Sequence, residues 1–384
     1  EAKERDGPER FQSAILMDDA VLVEPLLGLR PWVSASCYEA GAKLMLGSAA
    51  INAAKNEVEG EFRHAQVCWG LEFDFRAGTV RVPERRILKG LYLFADPAYD
   101  AGNRRIRLLD VQRARGTAQS WVDVLPVLRP ELRALDVFLG PGVSDGRAVC
   151  RAPAGREDRA WEDMWEVFEY LRLLCARPEV WEERFTTGLS SLLTHRERLA
   201  LPGEASRAIF VSSDATPEVH AACDWAGRVA SREMVAPFVQ ALLDAHGEDG
   251  ESIIAVAELL GFVAFAASRG EAWRGRLIAY VGDNTNVRSW LDRRAPRNRI
   301  ARLLLRVLSY LEVRYGCQVC VAYARTYHNQ TADLFTRCES SEFAGLASER
   351  GFTAAPTSDL WREVLEAVTS SRVPVLLGVD PKDF

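Results

Sequence analysis

The stretch from Ile253 to Ala267 is apolar at every one of its fifteen positions except Glu258. It falls short of the roughly 20 residues a bilayer crossing needs. A helix apolar on all sides belongs inside a protein, so we read it as a buried helix with Ser252 as its cap. A carboxylate in such a helix is costly unless a partner or a cation answers it. The fold must therefore bring something to Glu258.

A chain of 384 residues with 48% hydrophobic content has room for two or three domains, each with its own core. No segment resembles a membrane span, so no membrane partner is expected. The chain opens Glu1-Ala2-Lys3-Glu4-Arg5-Asp6, without an initiator Met or an apolar signal region. That suggests a piece of a longer intracellular product, cytoplasmic or nuclear. Eight scattered cysteines are too sparse for a disulfide scaffold. Only Cys317-Gln-Val-Cys320 has metal-like spacing, with His328 and Cys338 downstream. It lies in an alternating strand, Cys317 to Ala324, and no second such pair exists, so it reads as two strand cysteines.

The net charge of −6 argues against a grip on nucleic acid over the whole surface. Any such face must be local. From Thr285 to Tyr315 eight arginines stand against Asp292 and Glu312, a segment charge of +6. Because 43 of the 48 basic residues are Arg, the clustering is the signal. It fits either a phosphate-binding face or a solvated helix face.

Residues 14 to 23 read as a tight hairpin with Asp18 and Asp19 at its tip, followed by an Ala-rich helix over 36 to 55. Gln66 to Phe75 and Thr79 to Pro83 alternate around a turn at Arg76-Ala77-Gly78. Helical spacing then covers Leu108 to Gln119, Trp121 to Leu139 and Trp161 to Cys175, interrupted at Gly140-Pro141-Gly142. A further domain opens with strands Ala208 to Ser213, His220 to Trp225 and Arg228 to Val235. After a polar loop at 247 to 251 come the Glu258 helix and the strand Leu277 to Gly282. Helices Asn286 to Arg294 and Arg297 to Tyr315, the Cys317 strand and a helix from Thr331 complete it. Three meander strands followed by helix-linked strands predict a mixed sheet covered by helices.

In this element order Asp214 ends the first strand, Glu258 lies early in the first helix, Asp283 ends the fourth strand and Asp333 opens the last helix. Each alone has a bland reading as turn, paired, capping or helix-dipole acid. Together they can meet at one sheet edge, where like carboxylates raise one another's pKa until divalent cations relieve the repulsion. Hard oxygen ligands favour Mg²⁺ or Mn²⁺. Two such ions support phosphodiester hydrolysis.

The local motifs make the pattern specific. Ser213-Asp214-Ala215-Thr216, Ala257-Glu258-Leu259-Leu260, Gly282-Asp283-Asn284-Thr285 and Asn329 through Asp333 to Arg337 resemble the acidic blocks of the RNase H domain of retroelement reverse transcriptases, DIRS-type and gypsy-type above all. The resemblance implies an RNase H-like mixed five-stranded sheet flanked by helices over 206–338. It also implies two Mg²⁺ (or Mn²⁺) held by Asp214, Glu258, Asp283 and Asp333, and cleavage of RNA in RNA–DNA hybrids. Asn284, Asn329, His328, Arg293, Arg294 and Arg297 become candidate contacts to the hybrid.

Upstream, Leu16-Met17-Asp18-Asp19 resembles the polymerase block with paired Asp, and Asn52-Ala-Ala-Lys55 the lysine block that follows. Cys68-Trp69-Gly70-Leu71 is similar to the primer grip. The implied layout is a partial palm at 1–95, a mostly helical thumb and connection at 96–205, and a partly helical tail with Pro356, Pro374 and Pro381 at 339–384, with the rest of a retroelement polyprotein as partner. Asp18, Asp19 and Lys55 would be a residual polymerase site. Without the upstream palm carboxylate, polymerisation is expected only of a full-length parent. The competing reading is a decayed retroelement fragment that only binds nucleic acid. An exonuclease or integrase of the same superfold fits less well, because Asp214-Ala-Thr216 lacks the second acid of the acidic exonucleases.

Overall fold

The computed structural model describes residues 12–16, 19–100, 102–144, 149–151, 159–200, 203, 207–246, 253–323, 329–355 and 357–369. It is an α/β chain with mixed sheets. Two compact units divide it, Glu1–Pro83 with Thr187–Leu189, and Glu84–Thr186 with Ser190–Phe384. Among the described residues no helix is long and apolar enough to cross a membrane.

In the first unit, β1 (Gln12–Leu16) and β2 (Asp19–Val23) pair antiparallel with Leu16 opposite Asp19. The Ala-rich segment forms two helices, Arg30–Leu46 and Ala53–Glu59, rather than one. Gly47, at φ 98°, ends the first, and the Asn52 side chain caps the second. Next come β3 (Ala65–Cys68), β4 (Leu71–Asp74) and β5 (Thr79–Arg81). The run expected as one strand from Gln66 to Phe75 is itself a hairpin. Trp69 and Gly70 both have positive φ, 50° and 86°, the conformation a two-residue turn between twisted strands requires.

The second unit begins with the helices Glu84–Phe94, Leu108–Gln119, Arg129–Ser144 and Arg159–Cys175. Among them sits a short antiparallel ribbon that the sequence reading did not anticipate, β6 (Arg105–Arg107) with β7 (Val149–Arg151). The helix expected from Trp121 starts only at Arg129, because Pro126 opens a 3-10 turn, Pro126–Leu128, instead. It then runs through Gly140-Pro141-Gly142 to Ser144. The strand Thr186–Gly188, β8 in chain order, joins the first unit's sheet in the order β3-β4-β5-β8.

The α/β part carries β9 (Ile209–Ala215), β10 (Val219–Asp224), β11 (Val229–Met234), β12 (Leu277–Gly282), β13 (Gln318–Tyr323) and β14 (Thr353–Ala354). Their order is β13-β12-β9-β10-β11-β14. β9, β10 and β11 form an antiparallel meander, while β12 runs parallel to both β9 and β13. The sheet thus has six strands where five were expected. The sixth, parallel to β11, comes from the segment expected to be a tail. That segment also supplies the helix Ser358–Thr369, whose Trp361, Val364 and Val368 recur at helical spacing and are buried in the main core. Thr357 fastens its start by donating from its backbone N–H and its hydroxyl to Glu233 on β11, at 3.0 and 2.8 Å.

The helix Ile253–Arg269 is buried at every position from Ala255 to Ala267, Glu258 included. It lies close to the sheet at Gly261, where a β-carbon would stand 2.1 Å from the His220 ring on β10. Only glycine permits that approach.

The arginine-rich segment forms helices Thr285–Arg293 and Arg299–Tyr315. It is not a free basic face. Arg302 and Arg306 both reach Glu131, at 2.7 and 2.6 Å, and continue to Asp163 and Glu166, at 2.7 and 2.6 Å. Arg299 also pairs with Asp163 at 2.7 Å. This network ties the helical layer to the α/β part, so the expected boundary near residue 205 does not separate compact units. Burial raises the Glu166 carboxyl, but Arg306, Arg302 and Arg299 outweigh it and leave the group below its ordinary value. Breaking a buried pair from one side strands the other charge. Glu131→Ala is expected to lose about 3–5 kcal/mol in urea unfolding; a loss under about 1 kcal/mol would show that the network does not hold the layers together.

Candidate active-site cleft

The four acids singled out in the sequence line one cleft of about 460 Å³, together with Thr216, Ile254, Asn284, Thr285 and Arg337. Asp214 is the penultimate residue of β9, and Asp283 follows the last residue of β12. These neighbouring parallel strands deliver both side chains at the same sheet edge. Glu258 comes from the buried helix beneath, and Asp333 from the helix Gln330–Arg337.

Specific neighbours hold Glu258, Asp214 and Asp333. Tyr280, on β12 and fully buried, donates its hydroxyl to Glu258 Oε1. Gly282 makes room for that contact, since a β-carbon there would lie 2.6 Å from the Tyr280 oxygen and 2.9 Å from Glu258. The Tyr280 oxygen is in turn hydrogen-bonded to Ser213, whose hydroxyl lies 2.7 Å from His220 Nε2. Burial pushes the His220 imidazole down to about 3, so it is a neutral member of this chain. Thr336 Oγ1 lies 3.0 Å from Asp214 Oδ2 and 2.8 Å from the Asp333 carbonyl, to one of which it donates at a time. Arg337 donates to Asp333 at 2.8 Å and brings one cation to the rim.

The electrostatics record the crowding. Burial above all, then the charges of Asp333 and Asp283, raise Asp214 to about 6 against the opposing Thr336 hydrogen bond. Glu258 is pushed up to about 8, first by burial and then by Asp214 and Asp283, although Tyr280 and Asn284 hydrogen-bond to it. Carboxylates that repel one another in a half-buried cleft make a donor set suited to a hard divalent cation. As they stand, no three His, Cys, Asp or Glu side chains among the described residues form a ready metal cage.

The other candidates divide. Asn284 lines the cleft, and its Oδ1 caps the following helix by accepting from the Asn286 and Val287 amides at 3.0 and 3.3 Å. Asn329 is buried and donates to the Ser213 carbonyl at 2.8 Å, which ties the start of the Asp333 helix to β9 rather than facing the cleft. Arg294 is a correction. It sits in left-handed conformation at the end of its helix, buried against Glu312 at 2.8 Å, and cannot serve as a surface contact. Arg293 and Arg297 are exposed. His328 and Asp18 lie outside the described residues, and so does the side chain of Asp19, which opens β2. Lys55 is an exposed residue of its helix, with its backbone N–H capped by Asn52. Cys317 and Cys320 are buried, and burial pushes the Cys317 thiol up to about 12, far from the thiolate a zinc site requires.

Sequence reading missed Tyr280, Thr336 and the Ser213–His220 pair. Tyr280 offered a signal, because a tyrosine in an otherwise apolar strand needs a partner for its hydroxyl. Comparison with protein families, curated proteins and solved structures gave no match.

Both raised acids bind protons more tightly folded than unfolded. Their cost is absent below about pH 4 and appears as pH rises through about 6 for Asp214 and about 8 for Glu258, so stability falls across that range. Glu258→Gln should be more stable than the parent by on the order of 3 kcal/mol near pH 9 and about equal near pH 4. Urea unfolding at the two pH values checks this; an equal difference at both would refute it.

Proposed function

We propose that this chain is a retroelement-derived reverse transcriptase and RNase H fragment whose complete site is a metal-dependent ribonuclease acting on RNA in RNA–DNA hybrids. The observation that carries the reading is the meeting of Asp214, Glu258, Asp283 and Asp333 in one cleft. The meander followed by parallel strands, in the order β13-β12-β9-β10-β11, is in keeping with an RNase H-like sheet.

Asp214, Glu258, Asp283 and Asp333 would hold Mg²⁺ or Mn²⁺, two ions. When bound, such a pair activates water and stabilises the leaving oxygen of a phosphodiester. The chain's own residues prepare the acids for that task. Tyr280 and Asn284 fix the Glu258 carboxylate, Thr336 orients Asp214, and Arg337 keeps Asp333 at the rim. Arg293 and Arg297, exposed after the Asp283 loop, are the arginines of the basic segment to which we assign contact with hybrid phosphates.

Purified protein with Mg²⁺ or Mn²⁺ should cleave the labelled RNA strand of a hybrid and leave its DNA strand intact. Asp283→Asn should lose on the order of a hundredfold or more, the scale of removing one preorganised charged group from such a site. Absence of cleavage by the parent, or equal rates for the two, would retire the enzyme reading. Arg293→Ala combined with Arg297→Ala should raise KM about three- to tenfold with little change in kcat. A fall in kcat at unchanged KM would remove these arginines from substrate binding.

A further inference from the structure

A second concavity lies away from the four acids, on the β6–β7 ribbon. The antiparallel register sets Arg105 opposite Arg151, Ile106 opposite Cys150 and Arg107 opposite Val149. Alternation turns Ile106 and Cys150 inward, where both are buried. The same alternation puts Arg105, Arg107, Val149 and Arg151 on the outer face. They line a hollow of about 300 Å³ together with Ile106, Ala98 and Asp110.

The charge of this hollow is unusual for the molecule. Its lining has three guanidinium groups against one carboxylate, in a chain whose net charge is −6. The carboxylate, Asp110, is almost fully buried and already accepts from Arg107 at 2.7 and 2.9 Å and from Arg113 at 3.4 Å. Arg105 and Arg151 face each other across the ribbon, an arrangement that repels unless an anion lies between them. Elsewhere the chain answers crowded arginines with its own acids, as Glu131, Asp163 and Glu166 do for Arg302 and Arg306. At the ribbon, among the described residues, the acid lining the hollow is outnumbered.

We infer that the outer hollow of the β6–β7 ribbon binds a phosphate group, supplied by the backbone of a nucleic-acid strand. Planar guanidinium forks pair with phosphate oxygens two at a time, which a point charge cannot do. The lining has no aromatic side chain on which a base could stack, its apolar part being Ala98, Ile106 and Val149, so recognition is of the phosphate and not of sequence. The phosphate chemistry stands on the ribbon itself; the strand as its source rests on the function proposed above.

The test uses the full chain carrying Asp283→Asn, without divalent cations, so that binding is read without cleavage. Arg105→Ala with Arg151→Ala is compared with a control pair of exposed arginines, Arg350→Ala with Arg362→Ala. The probes are a fluorescent RNA–DNA hybrid and, separately, pyrophosphate. The ribbon variant should weaken hybrid binding at least fivefold at moderate salt and flatten the dependence of log Kd on log salt by about one to two, as expected for one or two lost phosphate contacts. The control should shift less than twofold, and both variants should melt with the parent. Loss of pyrophosphate binding with hybrid binding unchanged would overturn the strand as source and leave a free phosphate compound as the ligand. If the parent binds pyrophosphate through Arg105 and Arg151 but binds no hybrid, the phosphate site stands and the hybrid reading falls. Unchanged binding of both probes would overturn the site.

Discussion

Burial of the Glu258 carboxylate is the constraint on which the α/β part depends. A charge cannot sit in an apolar helix under a sheet without compensation, and the surrounding residues supply it in layers. Gly261 lets the helix approach β10, Gly282 leaves space on β12, and Tyr280 fills that space with a hydroxyl aimed at the carboxylate. Ser213 and His220 support the tyrosine from within the core. Burial above all, with the repulsion of Asp214 and Asp283 added, still keeps Glu258 near 8 in the chain by itself. Such a group is poised to exchange its proton for a stronger positive charge. We take that exchange as the link between the fold and the proposed chemistry.

The sheet and the acids were largely legible because they follow short-range rules. β12 was read to the residue from its apolar run between Arg276 and Asp283. The Glu258 helix was found from a run that no strand could accommodate. The meander β9-β10-β11 followed from alternation and turn residues. What escaped depended on partners distant in sequence. β14 has two residues and exists only because β11 offers an edge. Helix was expected in the tail, but not that Ser358–Thr369 packs into the core, where Trp361 meets Phe238 and lies near His220. Residues at the site divide the same way: the acids announce themselves by charge and position, whereas Thr336 and Tyr280 are ordinary until their neighbours are known.

The arginines teach a related lesson about charge. A +6 segment invites a reading as a nucleic-acid face, but its acids were supplied by residues about 130 to 175 positions earlier in the chain. Desolvation makes such buried pairs costly to form and costlier to break from one side. They serve to join layers. Among the described residues, arginines that outnumber the acid of a concavity lie instead on the β6–β7 ribbon, where the local sequence, Arg105-Ile106-Arg107, gave no hint of its partner strand.

The central claim is that Asp214, Glu258, Asp283 and Asp333 act together as one cation site. Counting bound Mn²⁺ directly, by the loss of the free ion's paramagnetic resonance signal as protein is added near neutral pH, addresses it without any nucleic acid. The account predicts two Mn²⁺ per chain, accompanied by proton release from the raised carboxyls, with both lost in Asp283→Asn. Stoichiometry that Asp283→Asn leaves unchanged, or no binding at millimolar Mn²⁺, would contradict it.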